Sequence, residues 1–154
     1  MKNGTDKKWP KKLPKLTKKQ QQIKDDFFQQ WLDELPKKFG IVEIFNQNYP
    51  AKAFQKDQKK KKFWRTLEIG GGIGSHIPYE NMECQSYTIL ELRKHLIALL
   101  KEKYPNVNAI AGDCQQRYAD KNSFDRVIAI HVLEHLPNLP EAIKQMHQVL
   151  TRGG

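Results

Sequence analysis

Residues 67–76 read LEIGGGIGSH. A short apolar run, WRTLEI (64–69), leads straight into Gly70, Gly72 and Gly74. Glycine is needed where a chain turns sharply after a strand and a ligand must approach the backbone. The dinucleotide fingerprint wants glycine at the first, third and sixth positions of such a loop. The sixth position here is Ser75, so that pattern fails and the spacing is Gly-x-Gly-x-Gly. A lone glycine loop is weak; its meaning depends on what else reaches the same edge.

Downstream, SYTILEL (86–92), VNAIAGD (107–113) and FDRVIAI (124–130) read as three more strands. Residues 93–103 suit a helix with Leu92, Leu96, Leu99 and Leu100 on one side. LPEAIKQMHQVL (139–150) suits another, with Ile143, Met146, Val149 and Leu150 apolar and TRGG as a glycine cap. Strands alternating with helices imply an α/β domain with an open parallel sheet. Pro78 follows the glycines closely, so the first crossover helix is expected to be short or broken.

Open parallel sheets bind ligands beyond the carboxyl ends of their strands. Glu91 ends the second strand, where a carboxylate can accept both hydroxyls of a ribose. Asp113 ends the third, where it can accept from an exocyclic amine, and the fourth delivers His131 to the same edge. HVLEH (131–135) has the His-x-x-Glu-His spacing of an inverted zinc-peptidase motif. That reading needs His131, Glu134 and His135 in one well-formed helix. A strand feeds the motif and Pro137 stops it, so no metal site is expected.

Taken together, LEIGGGIGSH, YTILEL, AIAGDCQQ and FDRVIAIHVLEHLPNLPEAIKQMHQVLTRGG resemble the front part of a class I S-adenosylmethionine-dependent methyltransferase. The resemblance covers residues 66–154. It implies a Rossmann-like sheet in the order 3-2-1-4 and S-adenosylmethionine as cofactor. It lays Gly70, Gly72 and Gly74 against the methionyl part, with Glu68 opening the motif. It puts Glu91 on the ribose, Asp113 on the adenine amine, the Cys114 backbone beside the ring and His131 beside the methyl group. His131 and His135 are the candidate proton acceptors. His135 is equally open to a capping or buried role, and Cys114 reads as a small buried residue. His76, His95 and His147 belong to no constellation and are expected on the surface or in helices.

The family's sheet has seven strands and this sequence carries four. The expectation is a longer enzyme cut before the fifth strand; a minimal domain and a non-catalytic cofactor-binding remnant are the alternatives. The acceptor expected by family analogy is a small molecule.

Residues 1–62 hold 17 Lys and no Arg against 7 Asp or Glu, whereas the remainder is balanced, so the net charge of +10 sits wholly in this part. Such an arm can attract RNA, which makes an RNA or protein acceptor the runner-up. Lys without Arg fits a solvated face better. Residues 1–16 read as a basic disordered tail and 17–62 as a helical extension with a Lys-rich linker. Thr17 and Gln20 form a capping box for a helix to Leu35, stopped by Pro36. Its stripe of Ile23, Phe27, Phe28 and Trp31 is expected to be core. A second short helix would end before Pro50, and 51–62 would be exposed linker. An ordinary packing role is expected for this pair, rather than a place across the site. No secretory signal or membrane span is visible, and two cysteines make no disulfide framework, which points to the cytoplasm.

Overall fold

The computed structural model describes residues 14–57 and 63–153. Of the tail expected at 1–16, residues 1–13 lie outside the described residues, as do residues 58–62 of the linker expected at 51–62. The elements are α1 (Lys18–Asp57), β1 (Trp64–Ile69), β2 (Gln85–Glu91), α2 (Lys94–Lys103), β3 (Asn108–Ala111), β4 (Arg126–Ala129) and α3 (Leu139–Val149). The strands form one parallel sheet in the order β3-β2-β1-β4. Short 3-10 turns at Ile77–Tyr79 and Met82–Cys84 stand where the first crossover helix would be, as Pro78 dictates.

Both faces of the sheet are buried, so its strands read as apolar runs. Leu67, Ile69 and Leu90 pack against Ala142, Met146 and Val149 of α3. On the other face, Tyr87, Ile89 and Ile128 pack with Leu100 of α2. Two helical stripes are narrower than their periodicity suggests. Leu92 and Leu99 are half exposed beside buried Leu96 and Leu100, and Ile143 is exposed beside buried Met146. Gly153 is left-handed but does not cap α3. The helix ends at Val149 because Leu150 turns extended and bridges Phe124.

The N-terminal segment departs most from its local signals. The capping box forms, with Thr17 N–H donating to Gln20 Oε1 at 2.9 Å and Gln20 N–H to Thr17 Oγ1 at 3.3 Å. The helix then runs unbroken through Pro36 and Pro50 to Asp57. Its C-terminal half is held by tertiary contacts that outweigh the proline penalty. Ala51 and Phe54 are buried, Phe54 meets Trp64 edge-on at 5.1 Å, and Arg126 donates to the carbonyl of Pro50. Residues 51–57 are therefore packed helix, not linker. Ile23 and Phe27 are exposed and Phe28 is half-buried, so these members of the stripe are not core; the Trp31 side chain lies outside what is described. Among the described residues, no helix is long and apolar enough to cross a membrane.

Beneath α1, the face left open by the broken crossover is filled by polar groups. Glu80 accepts from Nη1 of Arg126 at 2.8 Å and from Gln85 at 2.9 Å, and His76 Nε2 lies 2.6 Å from it. His76 is 1% exposed, not a surface residue. Burial alone would raise the Glu80 carboxyl, but hydrogen bonds from His76, Arg126 and Gln85 outweigh it and hold it at about 2. A depressed carboxyl stabilises the fold fully above its unfolded value, and the contribution is lost as pH falls through the folded one. Glu80→Gln is expected to cost about 3 kcal/mol near neutrality. Urea titrations of both proteins from about pH 7 down to about pH 3 should show that difference narrowing; a constant difference would contradict the charge-based account.

Candidate active site

A cavity of about 750 Å³ opens at the carboxyl edge of the sheet. Glu68, Gly70, Gly72, Glu91, Asp113, Cys114, His131 and His135 all line it. Gly74, expected with them, does not. Its left-handed backbone (φ +79) turns inward, where a Cβ would come within 2.6 Å of Tyr104 and 2.8 Å of Ile77. Gly74 is required for packing. Gly70 (φ +68) is also closed, since a Cβ would strike Val132 at 2.5 Å. Gly72 (φ +57) alone of the three has open space beyond it.

Glu91 is 3% exposed and is satisfied by backbone donors. Its Oε2 accepts from Gly72 N–H at 3.1 Å and its Oε1 from Arg93 N–H at 2.9 Å. Asp113 accepts from Gln115 N–H at 2.9 Å, an Asx turn that fixes its rotamer. Gln115 in turn accepts from the N–H of Asn138 at 2.8 Å, tying this loop to the start of α3. Glu68 is buried behind the glycines and accepts from the hydroxyl of Tyr87 at 3.0 Å. Burial pushes its carboxyl up, while His76 and that hydroxyl oppose the rise. Burial, with Asp113 adding to it, raises the Cys114 thiol to about 11, so it is no thiolate nucleophile.

HVLEH does not form the helix that a zinc motif needs. His131 is left-handed (φ 53), Val132 is non-helical and only Leu133–His135 makes a 3-10 turn. Glu134 Oε1 lies 3.6 Å from Nδ1 of His131 and 3.9 Å from Nε2 of His135. The His135 side chain is 75% exposed, which removes the buried role.

Sequence reasoning missed the contribution of α1. Lys24, Asp25, Phe27, Phe28 and Gln47 line the cavity from that helix. The Arg93 guanidinium carbon stacks 3.7 Å from the ring centre of Phe28. The segment thus borders the mouth in addition to the packing of Ala51 and Phe54. The stripe of Ile23, Phe27 and Phe28 was the available signal, but its periodicity does not say which surface it meets.

Residues 67–154 match the family model described as a methyltransferase domain. The chain belongs to that family. A demethylmenaquinone methyltransferase from Staphylococcus epidermidis is 32% identical over 58% of this chain and 35% of its own length. A 2-methyl-6-phytyl-1,4-hydroquinone methyltransferase from Oryza sativa subsp. japonica is 26% identical over 58% of this chain and 28% of its own. The methyltransferase chain thus spans about a third of the length of these curated relatives. Among solved structures, a CurJ carbon methyltransferase superposes with a TM-score of 0.66 at 20% identity, over 77% of this chain and 35% of that one. An S-adenosylmethionine-dependent methyltransferase of Methanococcus maripaludis, described as putative, gives 0.62 at 15% identity, over 91% and 63%. At these identities the structural likeness establishes the fold.

The glycines of this methyltransferase domain should separate by role. Gly74→Ala is expected to cost about 2–4 kcal/mol, from left-handed strain plus overpacking. Gly72→Ala should cost about 1–2 kcal/mol, from strain alone. Chemical denaturation ranks them, and the reverse order would reject the packing role of Gly74.

Proposed function

We propose that this cavity binds S-adenosylmethionine and serves methyl transfer to a small-molecule acceptor. The observation that carries the reading is the joint placement of Glu91, Asp113 and the open side of Gly72 on one edge. Each Glu91 oxygen accepts one backbone N–H. A carboxylate oxygen has capacity for two, so both ribose hydroxyls can be taken without releasing the loop. Asp113 would receive the adenine amine, and the backbone of Gly70–Gly72 would border the methionyl part, with Glu68 behind it.

The charge of the cavity supports this choice of ligand. Asp25, Glu68, Glu91, Asp113 and Glu134 line it, against Lys24 and Arg93, among the described residues. That is an acidic recess in a chain of net charge +10, and it favours a cationic ligand over a pyrophosphate. The glycine loop also runs into a 3-10 turn instead of a long helix whose N-terminus would attract phosphate. When bound, the cofactor supplies an electrophilic methyl group on a sulfonium. The chain's own part is to orient donor and acceptor and to exclude water, since such displacement gains chiefly from alignment. Relatives named for a demethylmenaquinone, a phytyl hydroquinone and a sterol support a ring-bearing small-molecule acceptor.

Calorimetric titration with S-adenosylhomocysteine tests the assignment. Glu91→Gln should weaken binding by roughly 10- to 100-fold, the cost of lost charge-assisted hydrogen bonds. Asp113→Asn should weaken it by roughly 10-fold. Unchanged affinity in both variants would remove the proposed site.

A further inference from the structure

The C-terminal half of α1 meets the cavity wall through a hydrogen bond between two side chains. Asn46 Nδ2 lies 3.0 Å from Nε2 of His131, 85 positions away in sequence. The turn that follows Asn46 is anchored. Arg126 donates from Nη2 to the Pro50 carbonyl at 2.9 Å, and its guanidinium carbon sits 4.1 Å from the ring centre of Phe54. Pro50 has no N–H for the carbonyl of Asn46, so the turn carrying Asn46 lacks one helical hydrogen bond and is set by these contacts instead. His131 approaches from the other side with φ 53, a left-handed conformation that costs energy in any residue but glycine.

With the amide nitrogen of Asn46 turned toward the ring, it can only donate, and Nε2 is then the nitrogen that carries the lone pair. The proton of a neutral His131 ring then sits on Nδ1. Glu134 Oε1 lies on that side at 3.6 Å. His131 and Glu134 both line the cavity, while Asn46 stands outside it. The ring is thus polarised, lone pair toward the helix and N–H toward Glu134. Which imidazole nitrogen is protonated is set by the partner of the other.

We propose that Asn46 is a positioning residue that holds His131 as its Nδ1–H tautomer. With its lone pair taken up by Asn46, the ring can offer the acceptor molecule only the N–H on its Glu134 side, as a hydrogen-bond donor and not as a base. The chemical group it recognises is an oxygen with a lone pair to share: a carbonyl, a phenolate or a ring hydroxyl oxygen. The role rests on the cavity being the methyl-transfer site, but the tautomer is a property of the chain alone.

Long-range nitrogen–proton correlation spectra of the 154-residue chain read the tautomer directly. Spectra are taken near pH 8, above the ordinary imidazole value of about 6.5. His131 is assigned by the loss of its signals in His131→Asn. The wild type should show the Nδ1–H pattern. Asn46→Asp, whose carboxylate can only accept, should convert it to Nε2–H. A wild-type ring in the Nε2–H form would overturn the proposal, as would an Asn46→Asp ring left in the Nδ1–H form. The wild-type spectrum decides by itself if the variant does not fold. Titration of the same sample with S-adenosylhomocysteine keeps the two readings apart. Binding with the Nε2–H tautomer sinks this inference and spares the cofactor assignment; the Nδ1–H tautomer without binding does the opposite.

Discussion

Glu91 pins three chain reversals at once. Its carboxylate takes the N–H of Gly72 after β1 and of Arg93 after β2. Its backbone carbonyl takes the N–H of Gly112 after β3, at 3.0 Å. A carboxylate buried to this degree must be compensated, and backbone amides do so without mobile side chains. The loops that face the ligand are therefore organised around one residue at the end of β2. The left-handed turn at Gly72 goes with this role. Gly72 must present its N–H to Glu91 while leaving its other side open.

Helix α1 takes a place that the crossover leaves vacant. After the glycine loop, Pro78 allows only 3-10 turns, so the face of β1 and β4 lacks the helix a parallel sheet normally receives there. Ala51 and Phe54 cover part of it, and Arg126, Glu80 and His76 fill the rest. The same helix reaches the cavity mouth further toward its N-terminus. One element thus completes the core and borders the site.

The sheet was legible in the sequence because parallel strands buried on both faces are apolar runs, and turn residues bound each run. The carboxyl-edge residues were legible for the same reason, since strand ends fix where Glu91, Asp113 and His131 must lie. Three things were not. Pro36 and Pro50 are local stop signals, and the helix continues past Pro50 through contacts with Trp64 and Arg126 that local spacing does not show. His76 looked like a surface histidine because spacing does not show that its near neighbour Glu80 is buried with it, held by Arg126 from 46 positions further on. Gly74 belonged to the right motif but faces Tyr104 and Leu100, a distinction that spacing cannot make. Local rules failed where long-range packing decides the outcome.

The polar cluster under α1 bears on how this domain can change over time. Glu80 alone is shared by His76, Gln85 and Arg126, and Gln85 also receives the hydroxyl of Thr66. Removing any one partner strands a buried polar group, whereas replacing the whole set with apolar side chains of like volume need not be costly. Neighbours in such a network do not contribute independently. These positions are thus expected to covary across descendants of this sequence, passing as a set or being lost as a set, with few viable intermediates between.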